Sequence, residues 1–244
     1  MIDLHCHLLP GIDDGPDTLE EALLLCRIAV ADGITRAVVT PHIQAARWRN
    51  NRESIARDRR YLQRELDQKG IPLRLGYAAE VRLGDQVMQQ VEAGEIPFYG
   101  ELDGFRVMLL EFPHGHVVPG SDKLVSWLMG HNIRPLLAHP ERNRQIMRDP
   151  ALLQPFLEAG CWLQLTAGSI LGQFGERAAN RARQLLEDDL VFALASDGHN
   201  AAARQPVLRP AFDHISARYG QARARELLLD NPARLVAAQF HDDQ

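Results

Sequence analysis

The chain has 244 residues, 45% of them hydrophobic and 24% charged, a composition typical of folded globular proteins and not of disordered or fibrous ones. Its formal net charge of -5 gives no general attraction for nucleic acid or anionic lipid, so no nucleic-acid partner is expected. The longest apolar run, residues 190–195, is too short to span a membrane, and the first residues do not resemble a signal peptide, so we expect a cytoplasmic protein.

Seven short apolar segments of strand character alternate with helical patterns along the chain. The predicted strands are Ile2 to His5, Arg36 to Thr40, Leu73 to Ala79, Phe105 to Leu110, Arg134 to Ala138, Cys161 to Leu165 and Val191 to Ala195. The predicted helices are residues 19–30 after a Thr18 and Glu21 capping box, Arg52 to Lys69, Ser121 to Gly130, Pro150 to Ala159 and Gly175 to Asp189. This alternation predicts an α/β fold, a (βα)7 TIM-like barrel in one domain over residues 1–244.

Histidines and acidic residues follow six of the seven predicted strands. The carboxyl ends of barrel strands converge on one mouth, where side chains from several strands meet. The residues expected there are His5, His7, His42, Glu80, Glu111, His139, Asp197 and His199, with Asp14 in the turn after the first strand. Such a convergence predicts the functional site more strongly than any single motif does.

The residue types at these positions favour a metal site. His5 and His7 are two residues apart, so they share one face of a strand and can bind one ion, and Asp197 and His199 have the same spacing. Glu80 and Glu111 end apolar segments, and no lysine or arginine stands beside Glu111 in the sequence to balance its charge. A bound cation would balance the charge of both carboxylates at the ends of these apolar segments.

Nine candidate ligands are more than one ion needs, so the site is predicted to be multinuclear. Imidazole and carboxylate ligands admit manganese, iron or zinc. The three cysteines show no disulfide or zinc-ribbon spacing, and the sequence lacks the C-x5-R loop, the G-x-S-x-G elbow and the phosphate-binding glycine loops of other hydrolase classes. A metal-activated water is therefore the predicted nucleophile.

The ordered motifs HCH with DDG, TPH, AAE, LLEFP, LAHPER, QLTAGS and SDGHN resemble the polymerase and histidinol phosphatase (PHP) superfamily. Within it, the chain resembles the bacterial manganese-dependent tyrosine-protein phosphatases of capsule and exopolysaccharide operons. The resemblance implies a distorted (βα)7 barrel with a site for three metal ions, which the manganese-dependent family predicts to be manganese; the ligand types also admit iron or zinc. It also implies a phosphotyrosine protein as substrate and partner, and that protein is expected to be a bacterial tyrosine kinase of polysaccharide synthesis.

The same resemblance implies a role for each site residue. One ion would take His5, His7, Glu80 and Asp197, a second would share Glu80 and take Glu111 and His139, and a third would take Asp14, His42 and His199. Arg142 and Arg204 match the family's two substrate arginines, whose guanidinium groups suit a phosphate dianion. His42 and His199 are also candidates for assisting proton transfer. The chain departs from the family at Ile43, where another histidine often follows TPH.

Two alternatives for the function remain open from the sequence. One is a small-molecule phosphatase, such as a histidinol phosphatase, and the other is a non-catalytic, metal-stabilised interaction module.

Two segments also have open roles. Arg47 to Arg64 holds seven arginines and is predicted to be a solvated helix face, although it could steer an acidic substrate, and Gly168 to Gly175 is either a rim over the site or a set of turns.

Overall fold

The computed structural model describes residues 1–44 and 46–240. The strands in this part of the chain are β1 (Ile2–Cys6), β2 (Arg36–Val39), β3 (His42–Gln44), β4 (Trp48–Arg49), β5 (Arg74–Tyr77), β6 (Glu80–Arg82), β7 (Gly100–Leu102), β8 (Phe105–Glu111), β9 (Ile133–Ala138), β10 (Trp162–Thr166) and β11 (Val191–Ala195). The helices are α1 (Leu19–Ala31), α2 (Arg52–Gln68), α3 (Val87–Glu92), α4 (Ser121–Gly130), α5 (Arg144–Arg148), α6 (Gln154–Glu158), α7 (Ala167–Ile170), α8 (Glu176–Glu187), α9 (Arg209–Tyr219), α10 (Gln221–Arg225) and α11 (Asn231–Leu235). Single 3-10 turns lie at Pro140–Arg142, Pro150–Leu153 and Ala237–Gln239, and a π turn lies at Glu226–Asp230.

The strands form a ring of seven parallel positions. β1, β2 and β5 pair in one sheet, and β11, β10, β9, β8, β6 and β3 pair in the other. β2 runs on into β3 through Thr40 and Pro41, and β5 runs on into β6 through Ala78 and Ala79, so each of these pairs is one kinked strand. The short strands β4 and β7 pair antiparallel to β3 and β8 at the edge of the ring.

The ring is completed where the end of β1 meets the residues that follow β11. The backbone N–H of His7 donates to Gly198 O at 2.8 Å, and the N–H of Asp197 donates to His5 O at 2.8 Å. The buried Asp3 carboxylate accepts hydrogen bonds from the backbone and hydroxyl of Ser196. The predicted α/β barrel of seven strands is confirmed, with its distortion at the two kinked strands and at this seam.

The interior of the ring is filled by apolar side chains from the strands and from the end of the chain. Leu4, Val38 and Leu109 pack there with Leu235 and Val236, all of them buried. A second and larger apolar cluster lies between the strands and the surrounding helices. Leu235 at the end of α11 and the residues after it are thus part of the interior cluster.

Most of the predicted helices are confirmed, and the differences have local causes. The capping box before α1 is present, with Thr18 accepting from the backbone of Glu21. The segment from Pro150 to Ala159 is a 3-10 turn followed by the short α6, because Pro155 has no N–H to continue a regular helix. The sequence does not predict the short helices α3, α5 and α7 or the helices α9 to α11. No helix of the described residues is both long and apolar enough to cross a membrane.

Candidate metal centre

The nine predicted ligands lie together at the carboxyl ends of the strands. All of them except Asp14 are buried, and Asp14 has 39% of its side chain exposed. Eight of them form three overlapping groups whose donor atoms lie within 4.8 Å of one another: His5, His7, Glu80 and Asp197; His7, Asp14, His42 and His199; and His42, Glu80 and Glu111. The ninth, His139, lies beside the third group, with its Nε2 2.8 Å from Glu80 Oε1.

The first group has the dimensions of a metal site. His5 Nε2 lies 3.2 Å from both His7 Nε2 and Asp197 Oδ1. Glu80 Oε2 lies 3.3 Å from His5 Nε2 and 3.4 Å from His7 Nε2. Atoms bound at about 2.0–2.2 Å to one ion lie roughly 3.0–3.5 Å apart, so these four donors fit a single ion.

Hydrogen bonds orient the histidine rings of this group. The Nδ1 of His5 lies 2.8 Å from Gln164 Oε1, and the Nδ1 of His7 lies 2.6 Å from Asp13 Oδ2. Both partners accept, so each ring carries its proton on Nδ1 and turns the lone pair of Nε2 towards the other donors. The sequence prediction did not include Gln164 or Asp13, although Asp13 is the other carboxylate of the DDG turn.

The second candidate position is built around Glu80 and Glu111. Burial and then the charge of Glu80 raise the pKa of Glu111 well above its usual range, and positive charge beside this pair favours its ionised form. Burial and then Arg142 lower the pKa of His139 to about 3, which keeps this imidazole in the neutral form that binds a metal. His139 and Asp197 also adopt left-handed backbone conformations, with φ of 34° and 52°.

Glu111 has a basic neighbour in the structure that it lacks in the sequence. The sequence offers no basic neighbour for Glu111, but β6 places Arg82 Nε 2.9 Å from Glu111 Oε2. Arg82 pairs in register with Glu111 across the sheet. It lies two residues after Glu80, and this spacing in a strand indicates that Arg82 and Glu80 face the same side. The contact lacks hydrogen-bond geometry, and Glu111 Oε2, His42 Nδ1 and Asp197 Oδ1 have no hydrogen-bond partner among the described residues. These buried polar atoms are what an ion would satisfy.

The third candidate position lies towards solvent. Asp14 Oδ1 is 3.3 Å from His42 Nε2 and 3.4 Å from His199 Nε2. The Nδ1 of His199 lies 2.8 Å from the carbonyl oxygen of Asp197, which leaves Nε2 free to bind. Gly15 permits the close approach of this turn, since a Cβ there would lie 2.6 Å from His7 O.

Both predicted arginines reach the same centre. Arg142 Nη1 contacts Asp197 Oδ2, and Arg204 Nη2 donates to that oxygen at 2.6 Å. Arg142 also stacks on Phe174, with its Cζ 4.3 Å from the ring centre. Phe174 comes from the Gly168 to Gly175 segment, so at least this part of the segment lies at the mouth.

The β3–β4 hairpin covers another side of the centre. The Trp48 ring stacks on His42, with ring centres 4.7 Å apart and an angle of 10° between the planes. Ile43, the departure from the family pattern, is buried in β3. Arg47 and Arg49 belong to this hairpin region and not to a helix, so the prediction of one helix face for the whole Arg47 to Arg64 segment is wrong for its first residues.

The three cysteines take no part in the centre. All are free and buried, and burial raises the pKa of Cys26 and of Cys161 to about 12. Cys6 packs with Cys26 in the outer apolar cluster, as its position between two inward-facing histidines predicts. Neutral thiols in these surroundings are not nucleophiles.

Comparison with known proteins agrees with this geometry. The chain is 32% identical to tyrosine-protein phosphatase YwqE of Bacillus subtilis, covering 95% of this chain and 92% of YwqE. It is 30% identical to tyrosine-protein phosphatase CpsB of Streptococcus pneumoniae, covering 98% of this chain and all of CpsB.

Solved structures give the same result. A crystallographic study of YwqE and CpsB, described as unique metal-dependent tyrosine phosphatases, includes a chain that superimposes with a TM-score of 0.90 at 31% identity, covering 98% of this chain and 96% of that one. A β-aspartyl dipeptidase from Fervidobacterium islandicum, at a TM-score of 0.60 and 14% identity, shares the fold alone. The family model for CpsB/CapC proteins of capsular polysaccharide synthesis matches residues 1–237, and this chain belongs to that family.

Proposed function

We propose that this protein is a metal-dependent phosphatase that hydrolyses phosphotyrosine in proteins and regulates capsule or exopolysaccharide synthesis. The observation that carries the proposal is the convergence of nine imidazole and carboxylate side chains with two guanidinium groups at one mouth of the barrel. The names of YwqE and CpsB support the choice of phosphotyrosine, and the family description supports the role in capsule synthesis.

We propose that the centre holds three manganese ions, with iron and zinc as the alternatives that these ligands admit. His5, His7, Glu80 and Asp197 would hold the first ion, Glu80, Glu111 and His139 the second, and Asp14, His42 and His199 the third. The distances among the donors support the first of these sets most directly. When bound, the ions would lower the pKa of a water molecule and neutralise charge on the phosphoryl oxygens.

The protein's own groups bind and orient the substrate. Arg142 and Arg204 present planar guanidinium groups to the phosphoryl oxygens, and Phe174 holds the plane of Arg142 by stacking. Gln164 and Asp13 keep the rings of His5 and His7 in place. The phenol leaving group has a pKa of about 10, so its departure needs less proton donation than that of an alkoxide. Proton transfer by His42 or His199 would then assist the departure of the leaving group but would not be required for it.

The biological setting is also part of the proposal. The substrate protein is a bacterial tyrosine kinase of polysaccharide synthesis, and the location is the cytoplasm, which three free cysteines support because thiols persist in reducing compartments. Residues 1–244 act as one catalytic domain. The pairing of the first strand with the last supports this, because β1 and the residues after β11 both supply ligands.

The test is a panel of phosphate monoesters assayed with the metal-loaded protein and after chelation. We expect kcat/KM to be higher for a phosphotyrosine peptide than for a phosphoserine peptide or histidinol phosphate, and we expect turnover to stop on chelation and return with manganese. A preference of about tenfold for histidinol phosphate, equal to about 1.4 kcal/mol, would favour the small-molecule phosphatase. Absence of turnover with every ester would favour the interaction module.

Replacement of Arg204 by lysine tests the role of the guanidinium groups. Arg204→Lys keeps the charge but cannot form two parallel hydrogen bonds, so kcat/KM for the phosphotyrosine peptide should fall by about tenfold or more. The bound metal, measured by elemental analysis, should stay at the wild-type ratio. Unchanged kcat/KM would remove Arg204 from the substrate site, and loss of metal would assign it a structural role.

A further inference from the structure

The structure divides the arginine-rich segment into two parts with different surroundings. On α2, Arg57 forms an ion pair with Asp58, and Arg59 stacks over the Tyr77 ring. Arg47 precedes the helix and is exposed, and its guanidinium carbon lies 4.1 Å from the centre of the Trp48 ring. Trp48 in turn stacks on His42, a candidate metal ligand. One aromatic ring therefore connects Arg47 to the metal centre.

The hairpin that carries Arg47 is held in place on several sides. β3 pairs with β6 so that His42 lies opposite Glu80, and β3 pairs with β4 so that Gln44 lies opposite Trp48. The side-chain amide of Asn50 donates to the carbonyl oxygens of Ile12 and His42, at 2.9 Å each. The backbone N–H of Arg47 donates to Gln44 O at 2.9 Å. Arg47 is thus set at a defined place on the rim.

The charge of Arg47 has no carboxylate partner within the part of the chain that the structure describes. Stacking on an indole fixes the plane of a guanidinium group and leaves its in-plane N–H donors free for an anion. The ring distances from His42 to Trp48 and from Trp48 to Arg47 are 4.7 and 4.1 Å. The guanidinium carbon of Arg47 therefore lies at most about 9 Å from the centre of the His42 ring, within the length of three extended residues at roughly 3.3 Å per residue.

We propose that Arg47, supported by Trp48, is a specificity residue that binds an anionic side chain of the substrate within about three residues of the phosphotyrosine. A peptide whose phosphotyrosine enters the metal centre must cross the rim, where its neighbouring side chains meet this guanidinium group. The anion is a carboxylate or a second phosphotyrosine, since both accept paired hydrogen bonds from arginine. The inference rests on the proposed function and names a feature of the substrate.

The experiment compares kcat/KM for three phosphotyrosine peptides that differ at the residues beside the phosphotyrosine: alanine, glutamate or a non-hydrolysable phosphotyrosine mimic. We expect the wild-type protein to prefer one or both anionic peptides over the alanine peptide by about three- to fivefold, and the preference should decrease as salt is added. The glutamate and mimic peptides separate the two sources of the anion. In Arg47→Gln, kcat/KM for the anionic peptides divided by kcat/KM for the alanine peptide should fall to about one.

Arg60→Gln is the matched control, because Arg60 is an exposed arginine of α2 and its loss changes the net charge equally. This variant should keep the wild-type ratio. A wild-type ratio of one, or an unchanged ratio in Arg47→Gln, would overturn the inference while leaving the proposed function intact. An equal loss in Arg60→Gln would also overturn it and assign the preference to the whole basic segment. Failure of all three peptides to react would overturn both proposals.

Discussion

The site histidines show how individual hydrogen bonds prepare a side chain for metal binding. His5 and His7 each have an acceptor at Nδ1, Gln164 and Asp13, and His199 has the Asp197 carbonyl oxygen. A ring held in this way keeps one tautomer and loses little rotational freedom when an ion binds. We therefore expect that metal affinity depends on the residues that orient these ligands and not only on the ligands.

Glu80 is expected to be the most sensitive single residue of the centre. Its carboxylate lies within 3.4 Å of nitrogen atoms of four histidines, His5, His7, His42 and His139. Glu80→Gln should reduce the affinity for metal, and with it the metal content, and should also reduce kcat. The affinity and kcat should each fall by more than the roughly 10- to 100-fold typical of residues that only orient ligands. Elemental analysis and steady-state kinetics measure the two effects, with exposed Glu20→Gln as the control. Wild-type metal content in Glu80→Gln would contradict the bridging role.

Asp13 is expected to act through His7. Asp13→Asn weakens the acceptor at Nδ1 of His7, so the affinity for metal should fall by about 10- to 100-fold while the fold is kept. Titration of the metal-free protein by calorimetry measures this affinity, and circular dichroism checks the fold. Asp17→Asn, an exposed change four residues away, is the control. Equal affinities in both variants would show that Asp13 does not support the ligand.

The elements differ in how directly they serve the site. Each kinked strand carries a ligand just beyond its kink, because His42 begins β3 and Glu80 begins β6, and these residues pair in register. The kinks turn the backbone so that both side chains face the same centre. Helix α1, in contrast, packs its buried residues on the outside of the strands and supplies no ligand.

Helix α1 provides a test of stability that is separate from the chemistry. Thr18→Ala removes the side-chain acceptor at the first turn and should lower the free energy of unfolding by about 1 kcal/mol. Urea denaturation measures the change, and Ser126→Ala on the exposed side of α4 is the control. Because the cap lies outside the metal centre, the metal content should not change. A loss of metal in Thr18→Ala would show that the turn before α1 is coupled to the site.

At the scale of the whole molecule, the two ends of the barrel have different tasks. The carboxyl ends of the strands carry the ligands, and the interior below them is filled by apolar residues that include Leu235, Val236 and Phe240. The Gln239 amide adds hydrogen bonds to the backbone of Tyr77 and Tyr99. The end of the chain is therefore part of the core, although it supplies no ligand.

Leu235 tests the contribution of this segment. Leu235→Ala creates a cavity in the barrel interior and should lower the free energy of unfolding by roughly 2–4 kcal/mol. Leu24→Ala is the control, because Leu24 is 48% exposed and its truncation leaves no cavity. Thermal and urea denaturation of the metal-free proteins measure both changes without a contribution from bound ions. Equal stability of the two variants would contradict the role of residues 231–240 as core.

The sequence by itself determined the seven strands of the ring, the four longer helices α1, α2, α4 and α8, and the residues of the candidate centre. Strands have a two-residue period and the ends of parallel strands converge, so His5 and His7 or Asp197 and His199 can be placed together from spacing alone. The contacts that cross the barrel were decided by the tertiary structure. Arg82 beside Glu111, Asp13 on His7 and Trp48 on His42 join different elements. Such contacts depend on register, on kinks and on the path of a hairpin, and no local pattern of residues encodes them.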